Sequence, residues 1–182
     1  MEKLSIKSMS IDIDLTLPVT CVLGPTNSGK TYFLKKLINV IPNHDVYLDD
    51  ILISEYDITY LKNNIVVVLD DDTFKCEYVA EELHYYLSKL GYRIDEITNK
   101  INDLAKFFKI SSLLSERIDL LTIEKRILIK ILALLIIKPQ IFGIDNLLSY
   151  LNETDKKNLL TFCSSNKICL LYTSDDADDL IG

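Results

Sequence analysis

The chain has 182 residues, 48% of them apolar, and its 27 acidic against 20 basic side chains give a net charge of −7. This length fits one domain with a real core, and the apolar content excludes extended disorder. The acidic balance argues against a nucleic-acid partner, because binding a duplex rests on Lys and Arg neutralising phosphates. A single bound nucleotide needs only a local positive pocket.

In chain order, Ile11 to Leu17 alternates apolar and polar residues, the pattern of a half-buried antiparallel strand. Val19 to Leu23 is a short apolar run. It leads into Gly24-Pro25-Thr26-Asn27-Ser28-Gly29-Lys30-Thr31, a complete G-x-x-x-x-G-K-[ST] phosphate loop. From Tyr32 to Ile41, the residues Phe33, Leu34, Leu37, Ile38 and Ile41 fall at helical spacing. Strand, glycine loop and helix are the context the motif requires. Gly24 and Gly29 let successive N–H groups converge on an anion, and the helix N-terminus adds its dipole. With Pro25, Thr26, Asn27, Ser28 and Tyr32, these residues form the candidate nucleotide-binding segment. Lys30 would reach the β- and γ-phosphates, and the Thr31 hydroxyl would hold Mg²⁺.

Further along, Pro42-Asn43 breaks the helical pattern and Val46 to Leu48 suggests a short strand. Ile65 to Leu69 is continuously apolar and rich in β-branched residues, as in a parallel strand buried on both faces, and Asp70-Asp71-Asp72 follows. Val79, Leu83, Leu87 and Leu90 share one helical face with Gly91 as the stop. Ile97, Ile101, Leu104, Ala105 and Phe108 share another, and Ile123 to Ile137 reads as a heavily buried helix. Pro139 introduces the strand Ile141 to Ile144, which ends in Asp145. A helix around Asp155 to Cys163 and a strand Ile168 to Tyr172 complete the series. Strands alternating with helices predict an α/β fold with a mainly parallel sheet, short antiparallel strands near the N-terminus and inserted helices.

Four cysteines (Cys21, Cys76, Cys163, Cys169) lack C-x-x-C spacing and histidine partners. With no secretory signal, the expected compartment is the reducing cytoplasm. The most apolar stretch, Ile127 to Ile137, carries Lys130 and is well short of the roughly 20 residues of a membrane helix. His44 and His84 read as surface residues, and Asp175-Asp176-Ala177-Asp178-Asp179 as a solvated acidic tail.

A phosphate loop does not by itself say what becomes of the nucleotide. Mg²⁺ also needs a carboxylate at a buried strand end, which Asp145 supplies. An ordinary strand-end or helix-capping aspartate has the same sequence signature.

These residues resemble the ATP-binding-cassette (ABC) ATPases, most closely those of energy-coupling-factor (ECF) uptake transporters. Gly24 to Thr31 matches the Walker A motif. Val66 to Phe74 sits at the Q-loop strand and the stretch after it. Tyr78-Val79-Ala80-Glu81-Glu82-Leu83 looks like the family's Thr-Val-Glu-Glu-Glu-Leu helix start. Leu121 to Lys125 stands at the signature position, and Ala133 to Pro139 leads into the Walker B strand. Ser149-Tyr150-Leu151-Asn152 resembles the D-loop, and Tyr172-Thr173-Ser174-Asp175 the switch segment. The resemblance implies a P-loop NTPase of the ABC-ATPase type, with 1–182 as one ATP-binding domain and a helical subdomain over roughly 74–125. It implies ATP and Mg²⁺ as ligands, with Thr31, Asp145 and, as a further candidate, Asp70 on the metal. It also implies a membrane-embedded transporter subunit as partner, a second ATPase in a homodimer or heterodimer, and a place on the inner face of the cell membrane. In the family a coupling helix docks beside the Q-loop; here that points to Asp71 to Tyr86, including Phe74, Tyr78, Tyr85 and Tyr86.

The departures carry equal information. Asp70 replaces the Q-loop glutamine, Ile123 and Glu124 the signature glycines, Asn146 the general-base glutamate, and Ser174 the switch histidine. No aromatic residue clearly matches the one that stacks on adenine. An amide cannot take a proton from the attacking water, although it can orient it. Loss of base assistance typically costs about 10²- to 10⁴-fold. Glu124 would face a triphosphate with a like charge. The expectation is an ATP-binding transporter subunit with weak or absent hydrolysis. The alternative is a non-enzymatic regulatory or assembly protein. A small-molecule kinase fits less well: the chain has three arginines (Arg93, Arg117, Arg126), none in a lid-like cluster.

Overall fold

The structure, a computed structural model, describes residues 1–38 and 44–175. The elements in order are β1 (Lys3–Ile6), β2 (Ile11–Asp14), β3 (Val19–Leu23), α1 (Lys30–Leu37), β4 (Val46–Leu48), β5 (Ile51–Leu52), α2 (Ile58–Asn64), β6 (Ile65–Val68), α3 (Val79–Lys89), α4 (Ile94–Phe107), α5 (Ile123–Leu135), β7 (Ile141–Asp145), α6 (Glu153–Ser165) and β8 (Cys169–Ser174). The last residues of the expected first helix, 39–41, and the Pro42-Asn43 break lie outside the described residues, as do positions 176–179 of the acidic stretch.

Two four-stranded sheets result. One is antiparallel, in the order β2-β1-β4-β5; the other is parallel, in the order β3-β8-β7-β6. The parallel strands are continuous apolar runs because both their faces are covered. Val66, Val68, Phe142, Ile144, Leu170 and Tyr172 point into a core shared with α3, α4, α5 and α6. Their alternates Ile65, Val67, Ile141, Cys169 and Leu171 point into a second core with α1 and the antiparallel sheet. Gly143 permits this second contact. A Cβ there would come within 2.8 Å of Val67 Cγ2 and 3.3 Å of Leu34 Cδ2, so the missing side chain lets α1 lie close against β7.

Several boundaries differ from expectation, each for a local reason. The alternation from Ile11 stops pairing at Asp14, whose carboxylate accepts from the Thr16 N–H (2.9 Å) and hydroxyl (2.6 Å) and turns the chain. Leu17 is left about half exposed. α1 begins two residues early, at Lys30, because Gly29 takes φ +95° and starts the helix directly from the loop. β5 follows a two-residue turn in which Asp49 and Asp50 both have positive φ (49° and 63°), as a twisted hairpin requires. α2 is capped by Asp57, whose carboxylate accepts from the Thr59 and Tyr60 N–H groups at 2.9 Å.

In the stretch 74–125, α3 and α4 are followed by two short turns, Ser111–Leu113 and Ile118–Leu120. The stretch is drawn back toward α3 where Val79 N–H donates to Glu116 O (3.1 Å) and Ile118 N–H to Glu77 O (2.8 Å). Glu82 is buried at this point. Its carboxylate accepts from the Lys75 and Cys76 N–H groups at 2.8 and 2.9 Å, fixing the turn into α3.

α1 is tied to the antiparallel sheet by an ion pair. The buried Lys36 ammonium lies 2.7 Å from Asp45 Oδ2 and 3.0 Å from the Ser8 hydroxyl. The Lys36 hydrogen bond, and next the Ser8 hydroxyl, hold the Asp45 carboxyl below the usual carboxylate range. Its stabilising effect is therefore complete above the unfolded pKa of about 4 and is lost as pH falls through the lower folded value. Asp45→Ala is expected to cost about 3 kcal/mol at pH 7, because it strips a buried ammonium of its carboxylate. In urea unfolding, the gap between the unmodified protein and this variant should narrow from pH 7 to pH 3. A gap that widens toward acid would contradict the assignment.

Candidate nucleotide site

The sheet places the site. β3, β8, β7 and β6 run parallel, so the chain leaves all four on the same side, where ligands collect in sheets of this kind. The phosphate loop leaves β3, Asp70 lies two residues beyond the end of β6, Asp145 ends β7, and Asp175 directly follows β8. The loop is tightly curled. Ser28 N–H donates to Pro25 O (3.1 Å), Asn27 has φ +65°, and a Cβ on Gly24 would lie 2.7 Å from Ser28 Oγ. The Lys30 ammonium folds back beneath it. It donates to Gly24 O (2.5 Å) and Pro25 O (2.9 Å), with Ser28 Oγ at 3.4 Å.

A polar cleft of about 350 Å³ opens above the loop. It gathers Thr26, Asn27, Gly29, Lys30, Thr31, Asp70, Asp145 and Asn146 from separate elements, while Gly24, Pro25 and Ser28 do not line it. Tyr32 and Ser174 do not line it. Tyr32 is exposed on α1 with the Lys36 ammonium 5.3 Å from its ring centroid, and Ser174 is buried in β8, paired in register with Leu23. Asp70 is exposed, and its backbone carbonyl accepts from the Lys130 ammonium at 3.0 Å.

Two functional neighbours were not anticipated. Thr173, buried on β8, donates from its hydroxyl to Asp145 Oδ1 (2.9 Å) and accepts from the Asn146 N–H (3.0 Å), so it fixes both positions. Asn146 itself has φ +52°, a left-handed conformation that asparagine tolerates better than most residues. Asp175, expected in a solvated tail, instead enters the cleft. Its Oδ1 is 2.6 Å from Lys30 Nζ and its Oδ2 accepts from the Thr26 hydroxyl at 3.0 Å. Lys30, then Thr26, holds its carboxyl below the usual carboxylate range. The pairing of β8 with β3 brings both to the loop, and no local sequence pattern signals it.

Among the described residues, no group of three or more His, Cys, Asp and Glu side chains converges to hold a metal ion. The Thr31 hydroxyl and the Asp145 and Asp70 carboxylates supply hard oxygen donors suited to Mg²⁺, and the remaining ligands would come from phosphate oxygens and water.

Away from the cleft, Glu124, which the motif resemblance would set at the signature position, accepts from the Asn152 side-chain amide. That amide also reaches Asp155 Oδ2 (3.0 Å), which pairs with Lys125 at 3.0 Å. The Q-loop-side aromatics divide: Phe74 packs against the core, Tyr78 is 39% exposed, and Tyr85 and Tyr86 meet edge to face at 5.1 Å. Burial pushes the Tyr86 hydroxyl up to about 12 and the Cys163 thiol likewise to about 12, so both stay protonated at neutral pH. His44 and His84 are exposed. No described helix is long and apolar enough to cross a membrane.

No family profile matches the chain. It is 25% identical over 173 residues to an energy-coupling factor transporter ATP-binding protein of Aster yellows witches'-broom phytoplasma, covering 90% of this chain and 64% of that protein. The chain thus spans just under two thirds of the length of this curated relative. In fold it matches cbiO1 from Clostridium perfringens, part of the ABC transporter complex cbiONQ, with a TM-score of 0.81 at 17% identity over 97% of this chain and 80% of the other. It also matches the dimeric post-hydrolysis state of an ATP-binding cassette bound to ADP and Pi, with a TM-score of 0.76 at 14% identity, covering 93% of this chain and 80% of that one. The fold is that of ABC-type P-loop ATPases. The resemblance read from the motifs, to ATP-binding subunits of the energy-coupling-factor kind, is matched by the sequence similarity to such a protein, and the fold agrees with that of ABC ATPases.

Proposed function

We propose that this chain is an ATP-binding subunit of an ABC/ECF-type membrane transporter that holds Mg-ATP on its phosphate loop and hydrolyses it weakly or not at all. The observation that carries this reading is the convergence of Lys30, Thr31, Asp145 and Asn146 on one polar cleft, and the motif resemblance assigns Asn146 the general-base position. Oxygen donors stand where Mg²⁺ would sit, and the loop N–H groups and Lys30 suit a triphosphate. The named relatives, a transporter ATP-binding protein and a component of a transporter complex, support a membrane-embedded partner, a second ATPase subunit and a place at the inner face of the membrane.

A second reading, a non-enzymatic ATP-binding regulatory or assembly protein, draws support from Glu124. Its carboxylate engages Asn152 within the chain, whereas the transporter role calls for a signature segment that faces a partner's nucleotide. Both readings share the nucleotide. Calorimetric titration with Mg-ATP should give saturable binding at one site per chain, weakened when Mg²⁺ is withheld. Absence of binding would overturn both.

A further inference from the structure

The cleft contains an anion of its own. The Lys30 ammonium has three protons, and the chain supplies a close acceptor for each: Gly24 O at 2.5 Å, Pro25 O at 2.9 Å and Asp175 Oδ1 at 2.6 Å. Lys30 is almost enclosed, at 9% exposure, so water does not compete freely for it. The second oxygen of Asp175 takes the hydroxyl of Thr26, a residue of the loop itself. Register fixes this geometry. Leu23, the last residue before the loop, pairs with Ser174, so Asp175 emerges directly beside the curl of the backbone. A carboxylate and a phosphate offer the same chemistry to an ammonium and a hydroxyl, namely anionic oxygens that accept hydrogen bonds.

We propose that Asp175 is an internal plug of the phosphate loop, a carboxylate that occupies the place of a nucleotide phosphate and must be expelled before a nucleoside triphosphate can engage Lys30. The proposal rests on the nucleotide reading above and adds a regulation to it. The plug is intramolecular, so it competes at a high effective concentration, and apparent affinity falls by the fraction of chains in which it is open. At neutral pH the carboxylate is ionised, since Lys30 and Thr26 favour its charged form.

The test compares the unmodified protein with Asp175→Asn in two measurements. In calorimetry with Mg-ATP, a plug closed about nine-tenths of the time predicts about tenfold tighter binding in the variant. In the nucleotide-free proteins, acetylation of Lys30 by acetic anhydride, read by peptide mass spectrometry, should be several-fold faster in the variant. Tighter ATP binding with unchanged Lys30 reactivity would overturn the plug, leaving only the removal of a repelling charge. Faster acetylation with unchanged ATP affinity would overturn the competition with nucleotide. Failure of both proteins to bind ATP would instead overturn the nucleotide reading and the regulation with it, whatever the reactivity of Lys30.

Discussion

Lys30→Ala is expected to weaken Mg-ATP binding by at least about a hundredfold, the equivalent of about 3 kcal/mol. Two effects combine. The substitution removes a charge-assisted contact to the phosphates, a class of bond worth about 1.5–3 kcal/mol. It also removes the ammonium that bonds Gly24 O and Pro25 O, so the curl that aims the loop N–H groups loosens. Asp175 makes the loss worse, because without its cation it remains a bare carboxylate beside an incoming triphosphate. The double variant Lys30→Ala with Asp175→Asn should therefore regain part of the affinity. Equal ATP affinity in Lys30→Ala and the unmodified protein, measured by calorimetry, would remove this residue from the site.

Asn146→Glu is expected to raise ATP turnover by about ten- to a hundredfold. A positioned carboxylate base is worth about 10² to 10⁴. The gain falls at or below the bottom of that range for three reasons. Ser174 is buried in β8 and cannot replace an imidazole over the γ-phosphate, and Glu124 remains at the signature position. Position 146 also has φ +52°, where glutamate is less at ease than asparagine by about 1 kcal/mol. The backbone itself is held by the Thr173 hydroxyl, so a glutamate would start from the same anchor. Phosphate release at equal chain concentration is the measurement. No gain in the variant would mean that position 146 does not face the attacking water.

What the sequence disclosed and what it withheld follow from the physics of each element. Strands β6, β7 and β8 were legible because both faces of each are buried, which leaves continuous apolar runs such as Ile65-Val66-Val67-Val68. The helical faces of α3 and α4 were legible because Leu83, Leu87, Ile97, Ile101 and Leu104 repeat at the helical period over eleven or more residues. β1, β5 and α2 were not. Four, two and seven residues are too few to show a period, and their existence depends on partners far along the chain, as when Leu4 pairs with both Ile13 and Leu48. The phosphate loop was fully legible, since its backbone geometry dictates its residues. Tyr32 is next to the loop in sequence, but it is exposed on α1 and does not line the cleft. Thr173 and Asp175 were hidden. A parallel pairing between β3 and β8, about 150 residues apart in sequence, brings them to the loop, and no local pattern encodes it.

The central claim is that this chain grips ATP and fails to split it. The direct measurement is to incubate the purified protein with Mg-ATP, remove free nucleotide, denature the protein and identify what was bound by chromatography. The account predicts close to one nucleotide per chain, recovered overwhelmingly as ATP. Recovery of ADP in its place, or of no nucleotide at all, would contradict it.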